Sequence, residues 1–226
     1  MTPRRGAFLL AGWLVVGVAI SPPLDAAAET RLPWHMVQHG LLLAVAPPLL
    51  VLGEPVRVVL DLLPAGGARR LLATLRRRPL SLLLQPAVAL SVFFAFVLAT
   101  HLPVVFDAAN AAGPLHGLEH VSYLFAGLLL WSAALGADPT ARPLSLFGVT
   151  GLLTAAMVPM LAVGVALDSA SAAVYAGYPA AEQGAGATAM WAGDLPFIAA
   201  LVLAGWAAVR REERAQRLRE RAGGAA

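Results

Sequence analysis

Residues 34–60 read WHMVQHGLLLAVAPPLLVLGEPVRVVL, and this stretch decides what kind of molecule the chain builds. A helix crossing the hydrocarbon core of a bilayer needs roughly 20 mostly apolar residues. Here the first acidic or basic side chain after the opening histidines is Glu54. Pro47 and Pro48 in the middle of the run lack backbone N–H groups and should kink the helix. Lipid tolerates such a break only where neighbouring helices cover it. The stretch therefore predicts a membrane span and, around it, a bundle.

Working outward, apolar stretches at 7–23, 80–105, 115–136, 144–167 and 187–209 join 34–60. The expected fold is all-α, a polytopic transmembrane helical bundle of about six spans. It forms a single membrane domain over 1–226, with 210–226 as a basic cytoplasmic tail. Composition agrees, since 59% of residues are hydrophobic and 13% charged, with mean hydropathy +0.74, far more apolar than a soluble domain of this size. The first stretch has two readings. Arg4, Arg5, the short apolar run from Ala7 to Ile20 and the small residues Ala26 to Ala28 also describe a secretory signal peptide, so residues 1–28 are a retained span or a cleaved leader. Retention is the reading adopted.

All 16 basic residues are arginine, and 15 of them fall on one side of the predicted spans, with Arg31 alone on the other. By the positive-inside rule both termini are cytoplasmic, and loops 24–33, 106–114 and 168–186 lie outside. That topology accounts for the sequence pI near 10.2 without nucleic acid. The tail mixes Arg210 to Arg221 with Glu212, Glu213 and Glu220 and reads as a solvated helical extension at the lipid surface. The chain has no cysteine, which excludes disulfides, thiolate metal sites and thiol nucleophiles.

The same orientation gathers all five histidines near the outer face. His35 and His39 open span two, His101 ends span three, and His116 and His120 open span four. Each pair is spaced i, i+4 and so shares one helix face. Ionisable groups inside a bilayer are costly and usually point into the bundle. Neutral imidazole suits copper, zinc, iron or nickel, and thioether favours cuprous copper. Met36 and Met190 lie at the outer ends of spans two and six, and Met157 and Met160 lie in span five. Asp107, Glu119 and Glu182 are nearby acids. The plainer alternatives are that a lone membrane histidine such as His101 is interhelical hydrogen-bonding glue and that the methionines only fill gaps in the core.

The segment Trp34-His35-Met36-Val37-Gln38-His39, with Ala46-Pro47-Pro48-Leu49 and Gly53-Glu54-Pro55, resembles the opening signature of the CtaG family of bacterial cytochrome c oxidase assembly proteins. Three blocks follow in the same order: His101-Leu102-Pro103 with Phe106-Asp107; His116-Gly117-Leu118-Glu119-His120; and Glu182-Gln183 leading to Met190-Trp191. The likeness covers roughly residues 30–212. It departs from the family where Glu182 replaces an aspartate, where the small residues before Met190 are Gly186 and Ala187, and in lacking a span that family members often add. The resemblance implies a non-enzymatic, multi-pass protein of the bacterial inner (plasma) membrane that helps mature a haem-copper oxidase. Its task would be delivering copper, Cu+ or Cu2+, at the outer face to cytochrome c oxidase subunits. Matching blocks carry over His35, His39, His101, His116 and His120 as ligands, Met36 and Met190 as softer partners, and Glu119, Glu182 and Asp107 as supporting acids. A homodimer stays open. The rival readings are a haem-b-binding electron carrier using facing histidines, a dinuclear metal hydrolase or oxidase, and a purely structural partner.

Overall fold

The computed structural model describes residues 2–136 and 143–223, so Arg142, part of the topology argument, and the last tail residues 224–226 lie outside the described residues. Among the described residues every regular element is helical. Proline sets many of the starts, because a missing N–H costs nothing in a first turn. The chain opens with α1 (Pro3–Ala19), bends by 45° into α2 (Pro22–Thr30), and continues into α3 (Leu32–Gly40), each with proline in its first two positions.

From α3 the chain runs without interruption through a π-helical turn, Leu41–Val45, into α4 (Ala46–Leu52), giving one span of 21 residues. The π turn answers the two prolines. Ala46 donates its N–H to the Leu41 carbonyl, one residue wider than an α bond. The Leu43 carbonyl then faces Pro47 and Pro48, neither of which has an N–H to offer. This carbonyl is covered by Gly127 of α10 (Gly113–Leu135), where an added Cβ would stand 2.4 Å from the Leu43 oxygen and 2.6 Å from Pro47. The neighbour expected to cover the break is therefore α10, which can approach so closely because it presents a glycine.

The span ends sooner than 34–60 suggested. Glu54 adopts a left-handed conformation (φ 50°), and a separate helix α5 (Pro55–Leu62) follows. Arg5 and Arg57 both reach the Glu54 carboxylate, at 2.9 and 2.8 Å, and tie the start of α1 to this corner. The short helices α6 (Ala65–Leu75) and α7 (Arg78–Leu83) carry the arginine-rich connection. Span three also differs from 80–105. It starts at α8 (Pro86–Thr100), because Pro86 forces Gln85 out of helical geometry, and bends by 74° before α9 (Pro103–Ala111), where Leu102 is extended for the same reason.

After α10 come α11 (Leu146–Ser169), a loop, a 3-10 turn (Ala180–Glu182), α12 (Gln183–Ala192) and α13 (Leu195–Gly223). The last two run almost as one helix and extend the predicted 187–209 span at both ends, α13 including the described part of the tail. Among the described residues four helices are long and apolar enough to cross a membrane, and six if each bent pair counts as one span, which agrees with about six spans. α1 packs on α4, with Gly12 against Leu50 and Gly53 against Leu9. Deeper in the bundle, Trp131 stacks on Phe197 at 5.0 Å and Phe93 meets Phe197 edge-on. This aromatic seam joins α8, α10 and α13, and so ties together the two helices that carry His101, His116 and His120.

Candidate metal centre

The i, i+4 spacing of His35 and His39 puts both rings on one face of α3, and His116 and His120 do the same on α10. The two pairs meet. Ring centroids lie 4.3 Å apart for His35 and His39, 5.2 Å for His35 and His116, 4.3 Å for His116 and His120, and 6.2 Å for His39 and His120. His101, at the C-terminus of α8, closes the group 5.4 Å from His39. Five imidazoles from three helices thus form one continuous cluster, with His35, His39 and His101 buried and His116 and His120 half-buried.

Glu119 is more central than its position between His116 and His120 suggested. Its side chain is buried, its Oε2 lies 3.9 Å from His39 Nε2, and its Oε1 accepts a hydrogen bond from Tyr123 Oη at 3.2 Å. One ligand atom each from His35, His39, His116 and Glu119 fall within 4.8 Å of one another, the dimension of a single ion's coordination sphere. His101 and His120 stand outside this tightest group but in ring contact with it.

The hydrogen bonds around the cluster fix which nitrogens are free. His101 Nδ1 lies 2.7 Å from the Val97 carbonyl, which can only accept, so Nδ1 carries the proton and Nε2 keeps its lone pair. Tyr178 Oη donates to the Ala28 carbonyl at 2.6 Å, and burial pushes its pKa up to about 12, so the phenol stays neutral with its one proton committed. His35 Nδ1, 2.8 Å from the same oxygen, must then be the donor, which again leaves Nε2 with a lone pair. Metal-binding histidines are commonly oriented in this way by a partner on the other nitrogen.

Among the described residues, the Nε2 atoms of all five histidines, His39 Nδ1 and Glu119 Oε2 are buried without a hydrogen-bond partner. Each such group costs about 1–3 kcal/mol if left unsatisfied. So many partnerless polar atoms around one point, the lone pairs of His35 and His101 among them, fit a cation better than they fit the paired nitrogens that interhelical glue would give.

The remaining expected residues fall in different places. Leu32, Met36 and Gly40 share the α3 face that meets α12, with Leu32 against Gly186 and Gly40 against Gly193. Met36 and Met190 are both fully buried and belong to the apolar core. Glu182 accepts from the Leu32 N–H at 2.8 Å and pairs with Arg31 at 2.7 Å, so its carboxylate clamps the start of α3. Asp107 accepts the Ala176 N–H at 3.1 Å and holds the loop after α11 to α9.

The sequence reading missed the tyrosines and Phe106. The chain has three tyrosines, and all three touch the cluster. Tyr123 lies 4.5 Å from the His39 ring, Tyr178 bonds His35, and Tyr175 donates to the His101 carbonyl at 3.1 Å while stacking on Phe106. Phe106 in turn sits 4.7 Å from the His35 ring. The available signal was Tyr175 and Tyr178 in the short loop after α11, one helical turn's worth of residues apart.

Residues 1–211 match the family model described as cytochrome c oxidase caa3 assembly factor (Caa3_CtaG). The chain is 30% identical over 175 residues to an uncharacterized protein of Mycobacterium bovis and, equally, to one of Mycobacterium tuberculosis, covering 74% of this chain and 25% of each relative. An uncharacterized protein of Mycobacterium leprae is 27% identical over 223 residues, 88% of this chain and 34% of that protein. The chain thus spans about a quarter to a third of the length of these curated relatives. No solved structure matches it.

Proposed function

Given that the chain belongs to the Caa3_CtaG family of cytochrome c oxidase assembly factors, we propose that it serves oxidase maturation by holding copper as cargo near the outer face of the membrane and releasing it to an oxidase subunit. His35, His39, His116 and Glu119 are the primary ligands, and His101 and His120 are neighbouring positions to which the ion can move. The observation that carries this reading is the convergence of partnerless imidazole nitrogens from three helices. Such a nitrogen-rich set with one carboxylate suits cupric copper, which heads the affinity order for divalent first-row metals. Both termini then lie in the cytoplasm, with the arginine-rich connection α5 to α7 on the same side.

The haem alternative needs two imidazoles with a macrocycle between them. Here neighbouring rings already touch at 4.3 to 5.4 Å, a packing that suits one small ion. The test is to equilibrate the purified protein with copper, remove the excess, and measure bound metal and the visible spectrum. Wild type should retain copper without a Soret band, and His35→Ala/His39→Ala should lose it. Unchanged copper in that variant would remove these residues from the site.

A further inference from the structure

An open pocket of about 540 Å³ lies beside the cluster, lined by Glu29, Asp107, Asn110, His116, Gly177 and Tyr178 among others. Two of its wall residues touch the deepest ligand directly. His116 stacks on His35 at 5.2 Å, and Tyr178 bonds His35 Nδ1 at 2.8 Å. Behind that wall, His35 is wholly buried with its Nε2 partnerless. We propose that this pocket is the port through which a metal cation reaches and leaves the histidine cluster, with Glu29 and Asp107 drawing the cation in and the half-buried His116 passing it to His35 and His39. This rests on the reading of the cluster as a metal centre.

Three observations converge on the port. The first is access: His116 is half-buried, whereas His35 and His39 are sealed, so an ion arriving from water meets His116 first. The second is charge. The three outer segments 24–33, 106–114 and 168–186 carry Asp25, Glu29, Asp107, Asp168 and Glu182 against Arg31 alone, and Arg31 is paired with Glu182. Glu29 and Asp107 share the wall of this pocket with His116. A cleft lined by one sign of charge over low-dielectric walls raises the local concentration and arrival rate of the opposite ion by about 10-fold or more. The third is width, because a Cβ added at Gly113 or Gly177 meets nothing within 4 Å, so this mouth is open space.

The experiment measures copper loading by stopped flow, using protein in nanodiscs, copper(II) chloride in a weakly chelating buffer, and quenching of intrinsic fluorescence. Glu29→Gln/Asp107→Asn removes the charge while leaving an acceptor for the Ala176 amide. Loading should slow about ten-fold at low salt, and the difference from wild type should shrink as salt screens the carboxylates. Gly177→Trp, which fills the mouth without changing charge, should slow both loading and release at every salt concentration. Glu213→Gln, at the other end of the molecule, should leave the rate unchanged. Equal rates for wild type and both pocket variants would overturn the port while leaving the metal centre standing. A wild type that takes up no copper would overturn the metal centre itself, and the port with it.

Discussion

Replacing Gly127 by alanine should loosen the bundle at the point where α10 covers the proline break. The added Cβ would stand 2.4 Å from the Leu43 oxygen and 2.6 Å from Pro47 Cγ. A carbon rests on a carbonyl oxygen at about 3.3 Å, so α10 must retreat by about 0.9 Å. The atom it meets is backbone, braced by two prolines, and cannot rotate aside. Overpacking of this kind costs about 1–3 kcal/mol, or roughly 2–12 °C in melting temperature for a chain of this size. Far-UV circular dichroism melts in nanodiscs would read it. Gly151→Ala is the control, since a Cβ there meets nothing within 4 Å and alanine is the better helix former. The same retreat moves His116 and His120 away from His35 and His39, so copper affinity should fall with stability. A Gly127→Ala protein melting at or above the Gly151→Ala protein would refute the idea that α10 seats on a bare carbonyl.

Tyr178→Phe removes the oxygen that accepts from His35 Nδ1. Copper affinity in chelator competition should weaken about 10- to 100-fold, the usual cost of losing an orienting partner, and the wild-type advantage should persist up to about pH 9 because the phenol is still protonated there. Protons compete with metal for imidazole, so copper retained at equilibrium should fall as pH is lowered, and dialysis at stepped pH would show it. Glu54→Gln removes the shared partner of Arg5 and Arg57. With these groups partly exposed, the expected loss is about 1 kcal/mol in the same melts.

Much of the fold was legible because lipid imposes a simple rule of length and apolarity, which α10 and α11 meet almost to the residue. Ends set by backbone geometry were harder. Glu54 in a left-handed conformation and Pro103 after an extended Leu102 end or bend helices whose side chains stay apolar, so hydropathy ran past both. Of the centre, the two histidine pairs were readable from spacing, but their rotation was not, because packing against α10 and α12 sets it. The rotation of α10 also brought Glu119 inward to His39. Tyr178 was out of reach for a different reason: its partners, Ala28 and His35, are joined to it by topology and not by any short-range pattern.

The wide turn at Leu41–Val45 governs more than the prolines. At about 100° per residue, an unbroken α-helix would put Pro47 about 80° around the axis from His39. The one extra residue in that turn takes back about 100° and brings the two within about 20° of each other. The half of the span before the turn can therefore aim its imidazoles at α10 while the half after it lays its proline on the same helix. Inserting a single residue between Leu41 and Val45 would swing His35 and His39 about 100° out of phase with His116 and His120 and dismantle the centre without altering one of its ligands, whereas deleting one would close the turn to an ordinary α-helix and keep the phase.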